Sequence, residues 1–393
     1  MTECQKIILS LIRNSVLPGH EALPEDCDWS AVYRLGKKQQ ATALLYYGAV
    51  NSGYTGNAEG FLNLRQDAMC CAAVEQNQLC QAERILDCFD RENVDYLPLK
   101  GITLKKLYPA TELRTMSDID ILIRTEQYDR IRPLMVQMGF TEGTQSDHEY
   151  IWERAGGVYV ELHKCLMPSY DKDFAAYYHD PWKRAKPVAG HPNRYAMSPE
   201  DTFVFLLVHL AKHYRNGGIG LLHMTDIFVY LRANPHMDEE TITCQLRQLG
   251  LPQFYENVRH TLDVWFDGAA ADQMAECITQ CVLHGGSYGT GADRVRASVL
   301  RGAERSGSTK QAKYKMTLAA LFPPYRVMKE KYPVLRPLPI LLPGVWVYRW
   351  VTALLFRRNN IRVLRRKTSG VSLSDVESYR QSLEYVGLRQ RGK

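Results

Sequence analysis

Arg114-Thr-Met-Ser-Asp118-Ile-Asp120-Ile-Leu-Ile123 sets two carboxylates one residue apart in an otherwise apolar, β-branched run. Side chains of a strand alternate between faces, so positions i and i+2 point the same way. The spacing predicts a strand over 118–124 with Asp118 and Asp120 on one face and Ile119, Ile121 and Ile123 packed on the other. Two like charges held together cost energy unless a cation lies between them. A hard divalent ion with oxygen ligands, Mg²⁺ first, is the natural partner.

The elements around this run follow from periodicity. Val94-Asp-Tyr-Leu97 reads as a short strand, and Pro98-Leu-Lys100-Gly101 as a turn into a helix over 102–107. Thr125 is placed to cap a helix over 126–138 with Ile131, Leu134, Met135 and Met138 on one face, closed by Gly139. Glu149–Glu153 and Val158–His163 form a hairpin about Ala155-Gly156-Gly157. In its second arm Val158, Val160 and Leu162 share one face, and Tyr159, Glu161 and His163 the other. A third carboxylate, Glu161, therefore also rides on a strand.

Upstream, residues 1–90 read as helical, with Ile7, Ile8, Leu11 and Ile12 at helix spacing and a long run from Asp67 to Asp90 free of Gly and Pro. Residues 170–195 read as a loop-rich crossing. Ser198-Pro199-Glu200-Asp201 opens a helix with an N-cap, Pro in the first turn and acids beside it. Helical patterns then continue over 222–231, 238–249, 251–266 and 272–283. The Gly-rich stretch 285–291 lacks the Gly-Lys-Ser/Thr ending of a P-loop and reads as a linker.

With 393 residues, 45% hydrophobic and 23% charged, the composition is that of a globular protein large enough for two or three domains. Its net charge of +6 is unevenly distributed. Pro324–Lys393 holds fifteen Lys and Arg against four Asp and Glu, a local +11 that leaves −5 elsewhere. The ten cysteines show neither Cys-x-x-Cys nor zinc-finger spacing. With no basic, apolar leader at Met1, they are expected to be reduced thiols in a cytoplasmic protein.

Leu99-Lys100-Gly101, Tyr108-Pro109, Arg114-x-x-x-Asp118-Ile-Asp120, Gly139-Phe140 and Val160-Glu161-Leu162-His163 together resemble the nucleotidyltransferase superfamily that includes DNA polymerase beta. More narrowly, the chain resembles the bacterial family called uncharacterised nucleotidyltransferases. The resemblance is strongest over 94–163 and extends thinly to Asp226-Ile-Phe and Leu321-Phe-Pro. It implies an α+β fold, a small mixed β-sheet flanked by helices, with N-terminal helices and a mainly helical C-terminal region. The implied parts are an N-terminal helical region (1–90), a catalytic core (91–196), a helical domain (197–320) and a Pro-bearing, basic arm (321–393).

The same resemblance implies two Mg²⁺ ions held by Asp118, Asp120 and Glu161 against an NTP, with ATP the expected nucleotide. Glu161 stands as third ligand or as the base toward an acceptor hydroxyl. Gly101 would let the backbone approach the phosphates, Lys100 and Arg114 would offset their charge, and Lys105 and Lys106 are further phosphate candidates. His163 would orient a ligating carboxylate or simply pack. The sequence departs from the superfamily at Ile102, where a second small residue usually follows Gly101, and in the long spacing from Gly101 to Asp118.

The expected activity is Mg²⁺-dependent transfer of a nucleoside monophosphate to a small-molecule, sugar or peptide acceptor, with release of pyrophosphate. A non-catalytic nucleotide-binding module on the same fold is the alternative. His209 and His213 lie four apart, but Leu210 stands where a zinc protease has its glutamate, so no zinc site is read there. The apolar stretch 334–356 is interrupted by Arg336, Arg349 and three prolines and is too broken to span a bilayer. Its basic flank, Arg357–Lys367, leaves peripheral contact with an anionic membrane as a third reading, that of an assembly factor. No nucleic-acid partner is expected, since no recognition motif accompanies the charge.

Overall fold

The computed structural model describes residues 1–19, 21–287, 289–306, 308–356 and 372–388. The basic stretch Arg357–Lys367 lies outside the described residues. The chain opens with α1 (Glu3–Val16), α2 (Trp29–Gln39), α3 (Thr42–Asn51) and the 33-residue α4 (Glu59–Arg91). Thr2 and Gln5 close a capping box on α1, and Asp28 caps α2. The inner face of α4 places Ala82, Ile85, Leu86 and Phe89 in the same core as the sheet. Helix α4 is thus one wall of that core.

Beyond α4 come β1 (Tyr96–Pro98), α5 (Lys100–Lys105), β2 (Ile119–Ile123), α6 (Tyr128–Gln137), β3 (Thr141–Gln145), β4 (Glu149–Arg154) and β5 (Val158–His163). A short helix α7 (Lys172–Tyr177) and the hairpin β6 (Ala185–Val188) and β7 (His191–Met197) follow. The strands form one mixed, seven-stranded sheet in the order β3-β4-β5-β2-β1-β7-β6. Within it β2 runs parallel to β5 and β1 parallel to β7, while the other pairs are antiparallel. The fold is α+β, with helices against a mixed sheet.

Several local expectations change. The strand begins at Ile119, so Asp118 sits in a bend just before it instead of on its face. Helix α5 starts at Lys100, earlier than the apolar pattern suggests. Thr125 does not cap α6: it begins a 3-10 turn, Thr125–Gln127, and its hydroxyl donates to Glu126. The face of α6 is as its periodicity requires, with Ile131 and Met135 buried and Leu134 and Met138 packed beside them. Residues 170–195, read as a loop, contain α7, β6 and the start of β7. Their Pro, His and Arg content hides the strand period, since neither strand alternates cleanly between buried and exposed positions. The hairpin β4–β5 forms as expected, with Gly156 at φ +91° and Gly157 at +77°, conformations that favour glycine.

Helices α8 (Pro199–Arg215), α9 (Leu221–Ala233), α10 (Glu239–Leu249), α11 (Pro252–Phe266) and α12 (Gln273–His284) succeed the sheet. The Ser198 hydroxyl accepts from the Asp201 amide at 3.0 Å at the start of α8. Two units result: Met1–Lys212 with Ile219–Ser287 and Val386–Lys393, and His213–Gly218 with Tyr288–Tyr385. The second contains α13 (Gly291–Ser306) packed on α14 (Thr309–Leu321), then α15 (Tyr325–Lys331), α16 (Leu342–Phe356) and α17 (Leu373–Tyr385). Among the described residues no helix is long and apolar enough to cross a membrane.

Candidate functional site

The site is assembled by the parallel pairing of β2 and β5. Its register sets Asp120 opposite Glu161 and Leu122 opposite His163. Because Glu161 and His163 are two apart on β5, both side chains leave the same face as Asp120. On the opposite face Ile119, Ile121, Val160 and Leu162 are buried in the core, which fixes the register and therefore the site. The Nε2 atom of His163 lies 3.0 Å from Asp120 Oδ1 and 3.6 Å from Glu161 Oε2. The ligand atoms of Asp120, Glu161 and His163 all fall within 4.8 Å of one another.

Asp118 joins from the bend before β2, half-buried, with the Ser117 hydroxyl donating to its Oδ1 at 3.1 Å. A fourth carboxylate comes from the neighbouring strand: Glu149 of β4 pairs with His163 of β5, and its Oε2 lies 3.1 Å from His148 Nε2. The sequence pattern does not mark Glu149. Only the β4–β5 register, set by the Gly-Gly turn, reveals that it faces the site.

Burial and the charges crowded into the site set the proton affinities. Burial would raise the Asp120 carboxyl, but the hydrogen bond and charge of His163, with Lys100 and Arg114 behind, pull it down to about 2. Burial and the charges of Asp118, Asp120 and Glu149 push Glu161 up to about 8. Burial and Asp120 likewise raise Asp118. Burial would lower the His163 imidazole, but Asp120, Glu161 and Glu149 raise it above its ordinary value. One carboxylate is thus held ionised, one is held protonated near neutrality, and an imidazole bridges them.

The basic residues divide into distinct sets. Lys100, first residue of α5, brings its Nζ within 2.6 Å of His209 Nε2 on α8, and burial lowers its affinity for a proton. His209 stacks on His223 of α9 with ring centroids 6.3 Å apart. Burial and the Lys100 charge press His223 down to about 4, so it is a neutral imidazole.

Arg114 forms a two-pronged ion pair with Asp226 of α9, at 2.9 and 3.2 Å, and Tyr108 donates to the same carboxylate at 2.8 Å. Its guanidinium is committed to that clamp. Lys105 is fully buried and paired with Glu75 of α4, so it is not a phosphate contact; Lys106 is exposed. Gly101 is buried, and a Cβ there would come within 2.9 Å of Met116 Sδ. The absent side chain makes room for the loop that carries Asp118.

That loop is tied down along its length. Tyr47 donates to Glu112 at 2.6 Å, Thr115 to the Gln40 carbonyl at 3.3 Å, and the Met116 amide to Glu75 at 2.8 Å. The N-terminal helices therefore position Asp118 although none of them reaches the site.

A family profile described as uncharacterised nucleotidyltransferase matches residues 25–267. Among solved structures, the antibiotic-resistance factor ANT(2'')-Ia is 14% identical over 48% of this chain and 99% of its own, with a TM-score of 0.33. A nucleotidyltransferase-like protein, an antigen of Paracoccidioides brasiliensis, is 15% identical over 53% of this chain and 93% of its own, with a TM-score of 0.32. No curated protein matches the chain.

Proposed function

This chain belongs to the uncharacterised nucleotidyltransferase family, and we propose that it moves a nucleoside monophosphate from an NTP to an acceptor hydroxyl with release of pyrophosphate. The observation that carries this reading is the convergence of Asp120, Glu161 and His163 across the β2–β5 pair, with Asp118 at the end of the strand. Hard oxygen donors in this number, two of them with proton affinity raised by burial and by anionic neighbours, suit a divalent cation. Asp118, Asp120 and Glu161 are the residues proposed to hold a pair of Mg²⁺ ions. When bound, Mg²⁺ supplies charge neutralisation for the triphosphate and for the pyrophosphate leaving group.

In the transfer, the acceptor oxygen attacks the α-phosphorus, the bond to the α–β bridging oxygen breaks, and the acceptor proton passes to Glu161 if that residue serves as the base and not as the third ligand. Glu161 can accept it once the charge of its acidic neighbours is compensated. His163 keeps the Asp120 carboxylate oriented through its 3.0 Å contact. Lys100, held at its Nζ by His209, is the cation closest in role to a phosphate partner, being felt electrostatically by both Asp118 and Asp120. Arg114 acts here as a strut, through Asp226, for the loop that ends in Asp118. ATP is the nucleotide proposed, and the acceptor a small molecule, sugar or peptide. A cytoplasmic setting accords with the ten cysteines, all free thiols.

Pyrophosphate release from ATP with Mg²⁺, across acceptors of these classes, tests the reading. Asp120→Asn should abolish it, whereas Lys186→Ala, at an exposed position on β6, should leave it unchanged. Equal turnover by Asp120→Asn overturns the assignment. ATP binding by calorimetry without pyrophosphate for any acceptor would make the protein a nucleotide-binding module instead.

A further inference from the structure

We propose that the outer face of α16 is a docking surface for an anionic lipid bilayer, on which the helix lies without spanning. The second unit uses one face of α16. Trp346 and Trp350, four residues apart, turn inward, and their indole N–H groups donate to the Pro323 and Leu321 carbonyls at 3.0 and 2.9 Å. Both rings pack edge-on against Phe322, at 5.3 and 4.9 Å. That contact fixes the rotation of the helix.

The opposite face is apolar and open. Val347, Tyr348 and Val351 are 52%, 61% and 46% exposed, and Ile340, in the turn leading into the helix, is 84% exposed. Gly344, Val347, Tyr348 and Val351 fall on an arc of about 100° at the helical spacing of 3.6 residues per turn, and Ile340 and Leu341 precede them in the turn. The only charge between Ile340 and Val351 is Arg349, whose guanidinium reaches inward to the Leu321 carbonyl at 3.4 Å. A contiguous apolar stripe of this kind marks an interaction surface.

Charge complementarity identifies the occupant. Immediately after α16, residues 357–367 contain six cations (Arg357, Arg358, Arg362, Arg365, Arg366 and Lys367) and no acid. An interfacial helix gains from shallow insertion of apolar and aromatic side chains, and adjacent cations add attraction to anionic headgroups. Tyr348 suits the headgroup level, where an aromatic body and a polar tip are both accommodated. A nucleic acid would use the cations but leave the stripe in water. A bilayer with anionic lipids uses both features, and α16 at 15 residues is too short to cross it.

Flotation of the full chain with phosphatidylcholine vesicles, with and without phosphatidylglycerol, tests the proposal. The protein should float with the mixed vesicles, much less with phosphatidylcholine alone, and less again at high salt. The double variant Val347→Glu/Val351→Glu should float roughly tenfold more weakly. Val136→Glu, at an exposed position on α6, should behave as the parent. Ile340→Glu gives an independent reading should the double variant fold poorly. Failure of the parent to float with the mixed vesicles overturns the proposal, as does parent-like flotation of both stripe variants. Sedimentation showing a parent dimer that Ile340→Glu makes monomeric would assign the face to a second copy, and stripe-dependent RNA binding without flotation would assign it to nucleic acid; either result overturns the proposal.

Discussion

Arg114 shows how a residue in the right motif can be engaged elsewhere. The family resemblance implies a phosphate contact for it, yet it is buried against Asp226 and Tyr108. A buried charge left alone is expensive, so removing either partner should cost about 3–5 kcal/mol, seen as a lower urea midpoint. In the Arg114→Met/Asp226→Leu double variant the loss should be well below the sum of the single substitutions, because neither charge is then stranded. Glu161 carries a second residue-scale consequence. Its carboxyl is held protonated up to about pH 8, so a divalent cation must displace a proton below that value. Mg²⁺ binding should tighten as pH rises toward 8, with proton release visible by calorimetry in buffers of different ionisation enthalpy.

Elements here are positioned by close approach as much as by propensity. A Cβ on Gly48 of α3 would lie 1.9 Å from the Leu11 carbonyl oxygen of α1, and helix backbones in such contact cannot separate without opening the core. Gly48→Ala should therefore destabilise at or beyond the upper end of the ~1–3 kcal/mol usual for overpacking, read as a drop in Tm. At Gly101, by contrast, the obstacle is the flexible Met116 side chain. Gly101→Ala should lose stability that Met116→Ala in the same chain partly restores, because the clash and its remedy share one contact. If Gly101 matters only for phosphate approach, Gly101→Ala leaves stability unchanged and the second substitution restores nothing.

For the whole molecule, the acid cluster makes stability depend on pH in an unusual direction. Glu161 has an ordinary value of 4.5 and is raised to about 8 in the folded chain. The native state then binds more protons than the unfolded one between those values, so this group's stabilisation is full below about 4.5 and is lost as pH rises through about 8. Asp120 works oppositely: lowered from 3.8 to about 2, it stabilises above its ordinary value and loses that contribution as pH falls through about 2. In chelator, Tm should fall from about pH 5 to pH 8, and Mg²⁺ should restore it at pH 8. A Tm that rises over that interval without Mg²⁺ would contradict the crowding of Glu161 by its neighbours.

Alternation about Ile119–Ile123 and Val158–His163, the Gly-Gly turn between β4 and β5, and the apolar face of α6 were all written locally, because each depends on neighbours within a few residues. These patterns placed the elements, while the α+β class and the family came with the resemblance that the motif residues carry. What no local pattern holds is register and approach across the chain. Asp120 meets Glu161 only through β2–β5 pairing, and Glu149 enters only because β4 pairs with His163. Lys100 finds His209 from 109 residues away, and Arg114 finds Asp226 from 112. Residue types and periodicity thus determined which side chains could do chemistry. The tertiary structure decided which of them share a site, because charge and hydrogen bonding act through space and only packing sets those distances.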